Sequence, residues 1–341
     1  MSAASELHST QVPWSLGEAE GPSLADPAGR RLGVLINPFS WGVRHGFLPV
    51  VRARLEDVSS SLPMVYAWNP TTFAMALDRL AAQGVRVLMV VGGDGTVQGV
   101  VSALVDGHGA GIVALSLLSG GRSNVTAAKL GATGSMIPSL DRLLQWEMHG
   151  LSQPRLQALP TICVSWGQRR TYGFLLLGGG LVHAVESCRA FREKTGLPFL
   201  DGRLGTACWF TRELLRVAVG DGALRPQPGE LLGVRTGLQD YAIMIATTLP
   251  NWPGRAQGAG MRVGWVTGSG PSLLGALARA MAGQGSGHHF GWVSQEQAIM
   301  RQEKLGYFLL DGERVGTGKP GDDLLVHAGP AVQFLQMNPK P

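Results

Sequence analysis

Val90-Val91-Gly92-Gly93-Asp94-Gly95-Thr96 is the stretch that decides how this chain folds. Ahead of it, Arg86–Val91 (RVLMVV) is too apolar to alternate, the pattern of a strand buried on both faces of a sheet. Behind it, Val97, Val100, Val101, Leu104 and Val105 recur at i, i+3, i+4, i+7 and i+8, one stripe of a helix. A glycine turn between such a strand and such a helix lies beyond the strand's carboxyl end, where open α/β sheets bind ligands. Glycines there let backbone N–H groups approach phosphate oxygens without a Cβ in the way, and the helix N-terminus adds a favourable dipole. Asp94 is the odd element. Phosphates repel a carboxylate in an anion-binding turn unless Mg²⁺ or an attacking hydroxyl lies between them. Asp-Gly is also an ordinary turn pair, so the signal is strand, GGDGT and helix together. Neither G-x-x-x-x-G-K-[ST] nor G-x-G-x-x-G is satisfied.

Outward from this turn the pattern repeats. Leu32–Asn37 and Ile112–Leu118 read as strands, Leu62–Trp68 as another. Thr71–Gln83 and the run Ile137, Leu140, Leu143, Leu144 read as helices. Strands alternating with helices predict an α/β nucleotide domain over residues 30–152, a parallel sheet with helices on both faces. Past Gly150–Pro154 the pattern changes. Thr161–Trp166 and Tyr172–Leu177 flank a polar turn, Gly167–Arg170, as a hairpin. Leu231–Arg235, Tyr241–Thr248, Met261–Thr267, Gly306–Leu310 and Leu324–His327 are short strand candidates, with helices near Leu204–Val219 and Ser272–Met281. Residues 153–335 therefore read as a mainly antiparallel β domain with added helices. Residues 1–29, with Pro13, Pro22 and Pro27, read as a flexible tail.

The chain has 341 residues, 45% hydrophobic and 16% charged, enough apolar material for real cores and against wholesale disorder. Its formal net charge of +5 suits phosphate groups or anionic headgroups. It holds no Lys/Arg-rich block, which argues against nucleic acid as a partner. Cys163, Cys188 and Cys208 are widely spaced, which predicts neither disulfides nor structural zinc and fits a reducing cytoplasm. No signal peptide and no apolar run of membrane-spanning length is evident. His288-His289 reads as a surface loop, because adjacent strand residues face opposite ways. Gly178-Gly179-Gly180 before His183 suggests close backbone approach at a strand-to-helix turn. Arg189, Arg192, Lys194 and Arg203 around Leu197–Leu200 read either as a headgroup-facing lip or as a solvated helix and loop.

Four segments together resemble the diacylglycerol kinase catalytic-domain family, which includes sphingosine kinases, ceramide kinases and bacterial lipid kinases. Asn37-Pro38-Phe39-Ser40-Trp41-Gly42 is similar to its N-P-x-S-G with one extra residue, and Gly92–Thr96 to its G-G-D-G-T. Gly121-Arg122-Ser123-Asn124, followed by Ala127 and Lys129-Leu130-Gly131, resembles its G-T-x-N-D-x-A…L-G. Leu310-Asp311-Gly312-Glu313 resembles its L-D-G-E, though alone it is an ordinary hairpin signal. The resemblance implies an active-site cleft between the two domains and allows Ala331–Leu335 to return to the first. It implies that Gly92, Gly93, Asp94, Gly95 and Thr96 hold the phosphates of ATP, that Asn37, Ser40 and Asn124 line the nucleotide site, and that Asp311 and Glu313 face the acceptor hydroxyl. The implied catalytic set is Asp311, Glu313 and Asp94.

The chain also departs from the family. Arg122 stands for Thr and Val125 for Asp, and Gln257–Val263 lacks the acidic residue that supplies a Mg²⁺ site in bacterial members. No protein-held metal is therefore expected, and Mg²⁺ arrives with ATP. Arg122 suits either a bidentate phosphate contact or a loop salt bridge. The implied activity is an ATP-dependent lipid kinase at a membrane surface, acting on diacylglycerol, a sphingoid base or ceramide, with a homodimer left open. An NAD kinase shares the glycine turn but carries a later Asn-Glu pair, a dipeptide absent here. A nucleotide- or lipid-binding pseudokinase is the non-enzymatic alternative.

Overall fold

The computed structural model describes Leu24 and residues 31–58, 62–122, 124–129, 136–150, 154–195, 203–218, 222–250, 260–281, 287 and 289–336. The tail read over residues 1–29 (Leu24 apart), and Ser123, Leu130, Gly131, Leu197–Leu200, Gln257–Ala259 and His288, lie outside the described residues.

The first region is a parallel sheet of order β2-β1-β3-β4: β1 (Leu32–Ile36), β2 (Met64–Tyr66), β3 (Val87–Gly92) and β4 (Ala114–Ser119). Its strands are buried on both faces, and the alternation of side chains shows why. Leu35, Leu88, Val90, Leu115 and Leu117 face α2 (Pro70–Ala82) and α3 (Asp94–Val105) through Phe73, Leu77, Leu80, Val97, Val100 and Leu104. Val34, Ile36, Val87, Met89 and Val91 point the other way, to α1 (Leu48–Val58) and, past the short α4 (Val125–Lys129), α5 (Met136–His149), through Val51, Leu55, Leu140, Leu143 and Trp146. The expected α/β layering is what forms. Asn69 and Thr72 close a capping box at the start of α2, with Pro70 in its first turn. That turn sets the chain's path just beyond β2.

The second region is antiparallel: β5 (Arg155–Trp166), β6 (Arg169–Gly173), β7 (Leu175–Gly178), β8 (Gln227–Leu232), β9 (Gln239–Thr247), β10 (Met261–Thr267), β11 (Phe290–Gln295), β12 (Gln297–Gln302), β13 (Phe308–Leu310), β14 (Glu313–Val315) and β15 (Leu324–Gln336). It carries α6 (Gly180–Thr195), α7 (Arg203–Ala218) and α8 (Gly270–Met281). β15 joins the regions into one 15-stranded sheet. Its start pairs with β12, its length runs antiparallel to β5, and Phe334 pairs in parallel with Leu115 of β4.

Several elements differ from expectation. β5 starts at Arg155, six residues ahead of Thr161, because its polar and Pro160-containing first half is held by β15 rather than by an apolar pattern of its own. The hairpin turn is Gly167-Gln168, and Arg169 and Arg170 already pair with Trp166 and Ser165. The run Tyr172–Leu177 splits at Phe174, so that β6 pairs with β5 while β7 pairs with β9 and β13. β8 lies about four residues earlier than read. β15 continues past His327 through Gly329-Pro330, because the register shifts between Ala328 and Ala331 and spares Pro330 a ladder bond it cannot make. The strand-to-helix turn at the triple glycine is present: a Cβ on Gly179 would meet the Tyr241 carbonyl and one on Gly180 the Arg225 carbonyl.

Phe334 is fully buried and its ring meets Phe174 at 5.7 Å, edge to face. Phe334→Ala removes a contact that both regions share. It is expected to cost about 3–5 kcal/mol, read as a lower urea midpoint with one transition for both regions. Two separated transitions, or no change in midpoint, would contradict the joint role of β15.

Candidate active site

The glycine turn is shaped by β1 and not by its own sequence alone. Asn37 leaves β1 with its backbone N–H donating to the Val91 carbonyl at 3.0 Å. Its side-chain Nδ2 donates to Thr96 Oγ1 at 2.8 Å, and the Ser40 and Thr96 hydroxyls lie 3.2 Å apart. The Gly93 N–H donates to Ser40 Oγ at 3.3 Å. Asn37 and Ser40 therefore brace the turn as well as lining the cleft around it.

Gly93 has φ −96°, an ordinary conformation, so left-handed backbone is not why glycine stands there. The reason is close approach: a Cβ at Gly93 would sit 3.0 Å from Gly121 Cα. Gly92 packs on the Thr96 side chain, and a Cβ on Gly95 would run into the Glu313 carboxylate. Asn124, at φ +48°, accepts from the Gly121 N–H at 2.8 Å and donates back to the Gly121 carbonyl at 2.7 Å. It fixes the loop that faces Gly93 from behind; the cleft itself is lined by Gly121 and Arg122.

Asp311 and Gly312 form the two-residue turn between β13 and β14, both at positive φ (48° and 92°). This is the twist a tight hairpin needs. The Asp311 carboxylate turns inward. Oδ2 accepts from the Phe174 N–H at 2.9 Å and Oδ1 from the Leu175 N–H at 3.0 Å, at the point where β6 ends and β7 begins. Thr126, itself buried, extends its hydroxyl toward Asp311 Oδ1 at 3.4 Å, while its backbone N–H donates to Asp94 Oδ1 at 3.0 Å. Thr126 thus joins the two aspartates, a role that no spacing in the sequence announced. Burial, and then the charge of Asp94, push the Asp311 carboxyl up to about 8, against the pull of its three donors.

These groups meet in one cleft of about 630 Å³. Asn37, Ser40, Gly93, Asp94, Gly95, Thr96, Asp311 and Glu313 line it. Arg122, Arg189 and Arg192 stand on its walls. Arg122 lies over the Trp41 ring at 5.7 Å and 3.9 Å from Glu193 of α6. Arg189 donates to the Gly312 carbonyl at 2.7 Å. Two residues weighed for a lipid-facing lip, Arg189 and Arg192, are therefore cleft residues. Cations opposite a phosphate-shaped turn suit a polyanionic ligand. No group of three or more His, Cys, Asp or Glu forms a metal-holding cluster among the described residues. Asp94 and Glu313 have the hard oxygen donors a Mg²⁺ ion takes when phosphate oxygens complete its shell.

Gly93→Val tests the close approach. The branched side chain would push away the Gly121 loop, so ATP affinity should fall at least about tenfold while far-UV circular dichroism stays unchanged. Unchanged affinity would make the turn a structural device only.

Residues 31–152 match the family model described as the diacylglycerol kinase catalytic domain. No curated protein matches the chain. Among solved structures, a candidate diacylglycerol kinase from Bacillus anthracis str. Sterne superposes with a TM-score of 0.62 at 12% identity, covering 91% of this chain and 98% of that one. A diacylglycerol kinase from the same organism superposes with a TM-score of 0.57 at 12% identity, covering 91% and 97%. At that identity the superpositions speak for the shared two-region fold, while the sequence match speaks for the catalytic domain. Over residues 31–152 this chain is similar to the diacylglycerol kinase catalytic domain family.

Proposed function

We propose that the protein is an ATP-dependent lipid kinase that transfers the γ-phosphoryl group to a lipid hydroxyl. The observation that carries this reading is the pairing of Asp94, in the glycine turn, with Asp311, on the opposite hairpin, through Thr126 in one cleft. The glycine turn supports a triphosphate. Asp311, whose carboxyl titrates near the working pH, supports a base for the acceptor. The acceptor proton moves to an Asp311 oxygen as the new O–P bond forms and the bond from phosphorus to the ADP oxygen breaks, which releases ADP. Oδ2, which accepts the Phe174 N–H, has a second lone pair for that proton, whereas Oδ1 already accepts from both the Leu175 N–H and the Thr126 hydroxyl. A Mg²⁺ ion carried by ATP and held by Asp94 and Glu313 would supply charge neutralisation at the phosphates. The arginines on the walls add to it. Among the described residues no helix is long and apolar enough to cross a membrane. The direct test is transfer from labelled ATP to a panel of diacylglycerol, sphingoid base, ceramide and NAD, with product identification. Transfer to NAD alone, or to nothing, would sink the reading.

The paired aspartates give a pH signature. Asp311 must be ionised to act, so turnover should rise with pH, with its midpoint near the group's value of about 8. Asp94→Asn removes the charge that helps raise Asp311, so this limb should move to lower pH while maximal turnover falls. Asp311→Asn should lower turnover about 10²–10⁴-fold with nucleotide affinity nearly intact. Since the folded-state value lies above that of a free carboxyl, Asp311 favours the fold when protonated. Its contribution is lost as pH rises from about 4 through about 8, and Asp311→Asn should flatten that slope. A pH profile unmoved by Asp94→Asn would separate the two carboxylates.

Magnesium provides a further check. With no cluster of three or more ligating side chains to hold it among the described residues, Mg²⁺ should bind the nucleotide-free chain only in about the millimolar range or weaker. Calorimetry showing a tight site without nucleotide would overturn the view that the metal enters with ATP.

A further inference from the structure

We infer that Phe39 and Trp68 seat the purine base of the nucleotide by its faces, so that the site takes ATP and GTP alike. This rests on the kinase reading and specifies its nucleotide. Both rings line the cleft that holds the glycine turn and the carboxylates. They are 62% and 47% exposed, and a pair of large aromatics standing open in a cleft marks contact surface for a flat ligand. They meet edge to face, with centroids 5.8 Å apart and planes at 84°, which leaves each ring a face that the other does not cover.

The sheet order sets which end of a nucleotide they meet. Trp68 follows β2 and Phe39 follows β1, whereas the glycine turn follows β3 and the Gly121 loop and α4 follow β4. Three strand spacings separate β2 from β4, about 14 Å. That matches an extended nucleotide with its terminal phosphate beside Thr126 and Asp311 and its base over β1 and β2. Both aromatics are held at the backbone. The Phe39 N–H donates to Asn37 Oδ1 at 3.0 Å and the Trp68 N–H to Thr72 Oγ1 at 2.9 Å. The amides nearby are in part engaged within the protein. Asn37 uses both ends, Asn69 Oδ1 caps α2, and Gln98 Nε2 donates to Thr171 at 2.7 Å. What Phe39 and Trp68 offer the base is ring surface, and stacking is tolerant of base identity.

The test is calorimetric binding of MgATP, MgGTP and magnesium tripolyphosphate to the full chain. In the wild type, ATP and GTP should bind within about tenfold of each other. Trp68→Ala and Phe39→Ala should each weaken both nucleotides by about 5- to 100-fold and leave tripolyphosphate unchanged. Trp68→Phe should restore most of the loss. The inference is overturned if both alanine variants bind ATP as the wild type does, if tripolyphosphate weakens equally, or if ATP exceeds GTP a hundredfold. A wild-type chain that binds no nucleotide overturns both this inference and the kinase reading. A chain that binds ATP through these rings yet phosphorylates no lipid overturns the kinase reading alone.

Discussion

The Asp311 carboxylate occupies the place of a missing strand partner. Where β6 ends and β7 begins, two successive backbone N–H groups, of Phe174 and Leu175, would lie buried without acceptors, and Asp311 accepts both. The Phe174 carbonyl is met from the other side by the Thr247 hydroxyl and the Thr248 N–H. Leaving such groups unpaired would cost about 1–3 kcal/mol each, which is why a carboxyl group can be nine-tenths enclosed here. The same enclosure raises its pKa. One constraint thus accounts for the break in the sheet, the position of the β13–β14 hairpin and the raised carboxyl at the cleft.

Thr126 carries that constraint into the first region. Its N–H tethers Asp94 and its hydroxyl reaches Asp311, so the start of α4 is held between a residue of the glycine turn and one 185 positions beyond Thr126. The walls follow the same logic. Arg189, on α6, is anchored to the carbonyl of Gly312, the partner of Asp311 in its turn. Side chains from five separate parts of the chain converge because one hairpin fixes where they meet.

The first region was legible in the sequence because its strands and helices declare themselves locally. RVLMVV and the stripe from Val97 to Val105 each carry a period that matches one environment. The second region was less legible. β5 and β15 extend through Pro160 and Pro330 because each supports the other, a pairing between residues far apart in sequence. α6 has only a weak apolar stripe, and β14 is three residues long. At the site, the sequence reads the glycines of the turn as open to phosphate oxygens, whereas the close approach of Gly93 to Gly121 depends on tertiary packing that no local pattern shows. Thr126 gave no signal, because its role depends on two residues that only the tertiary fold brings together. Arg189 and Arg192 sat in a charged helix whose cleft-facing side no local pattern distinguished.

The part of the chain that matches the family model, residues 31–152, leans on strands that lie outside it. Cut out as residues 31–152, it would lose β15 and β5, and the flank of β4 would become an unpaired edge of buried-type residues, Leu115 and Leu117 among them. Such an edge invites pairing with another copy. The excised segment is thus a template for aggregation, and a working unit has to include β5 and β15 although the matched segment ends at residue 152.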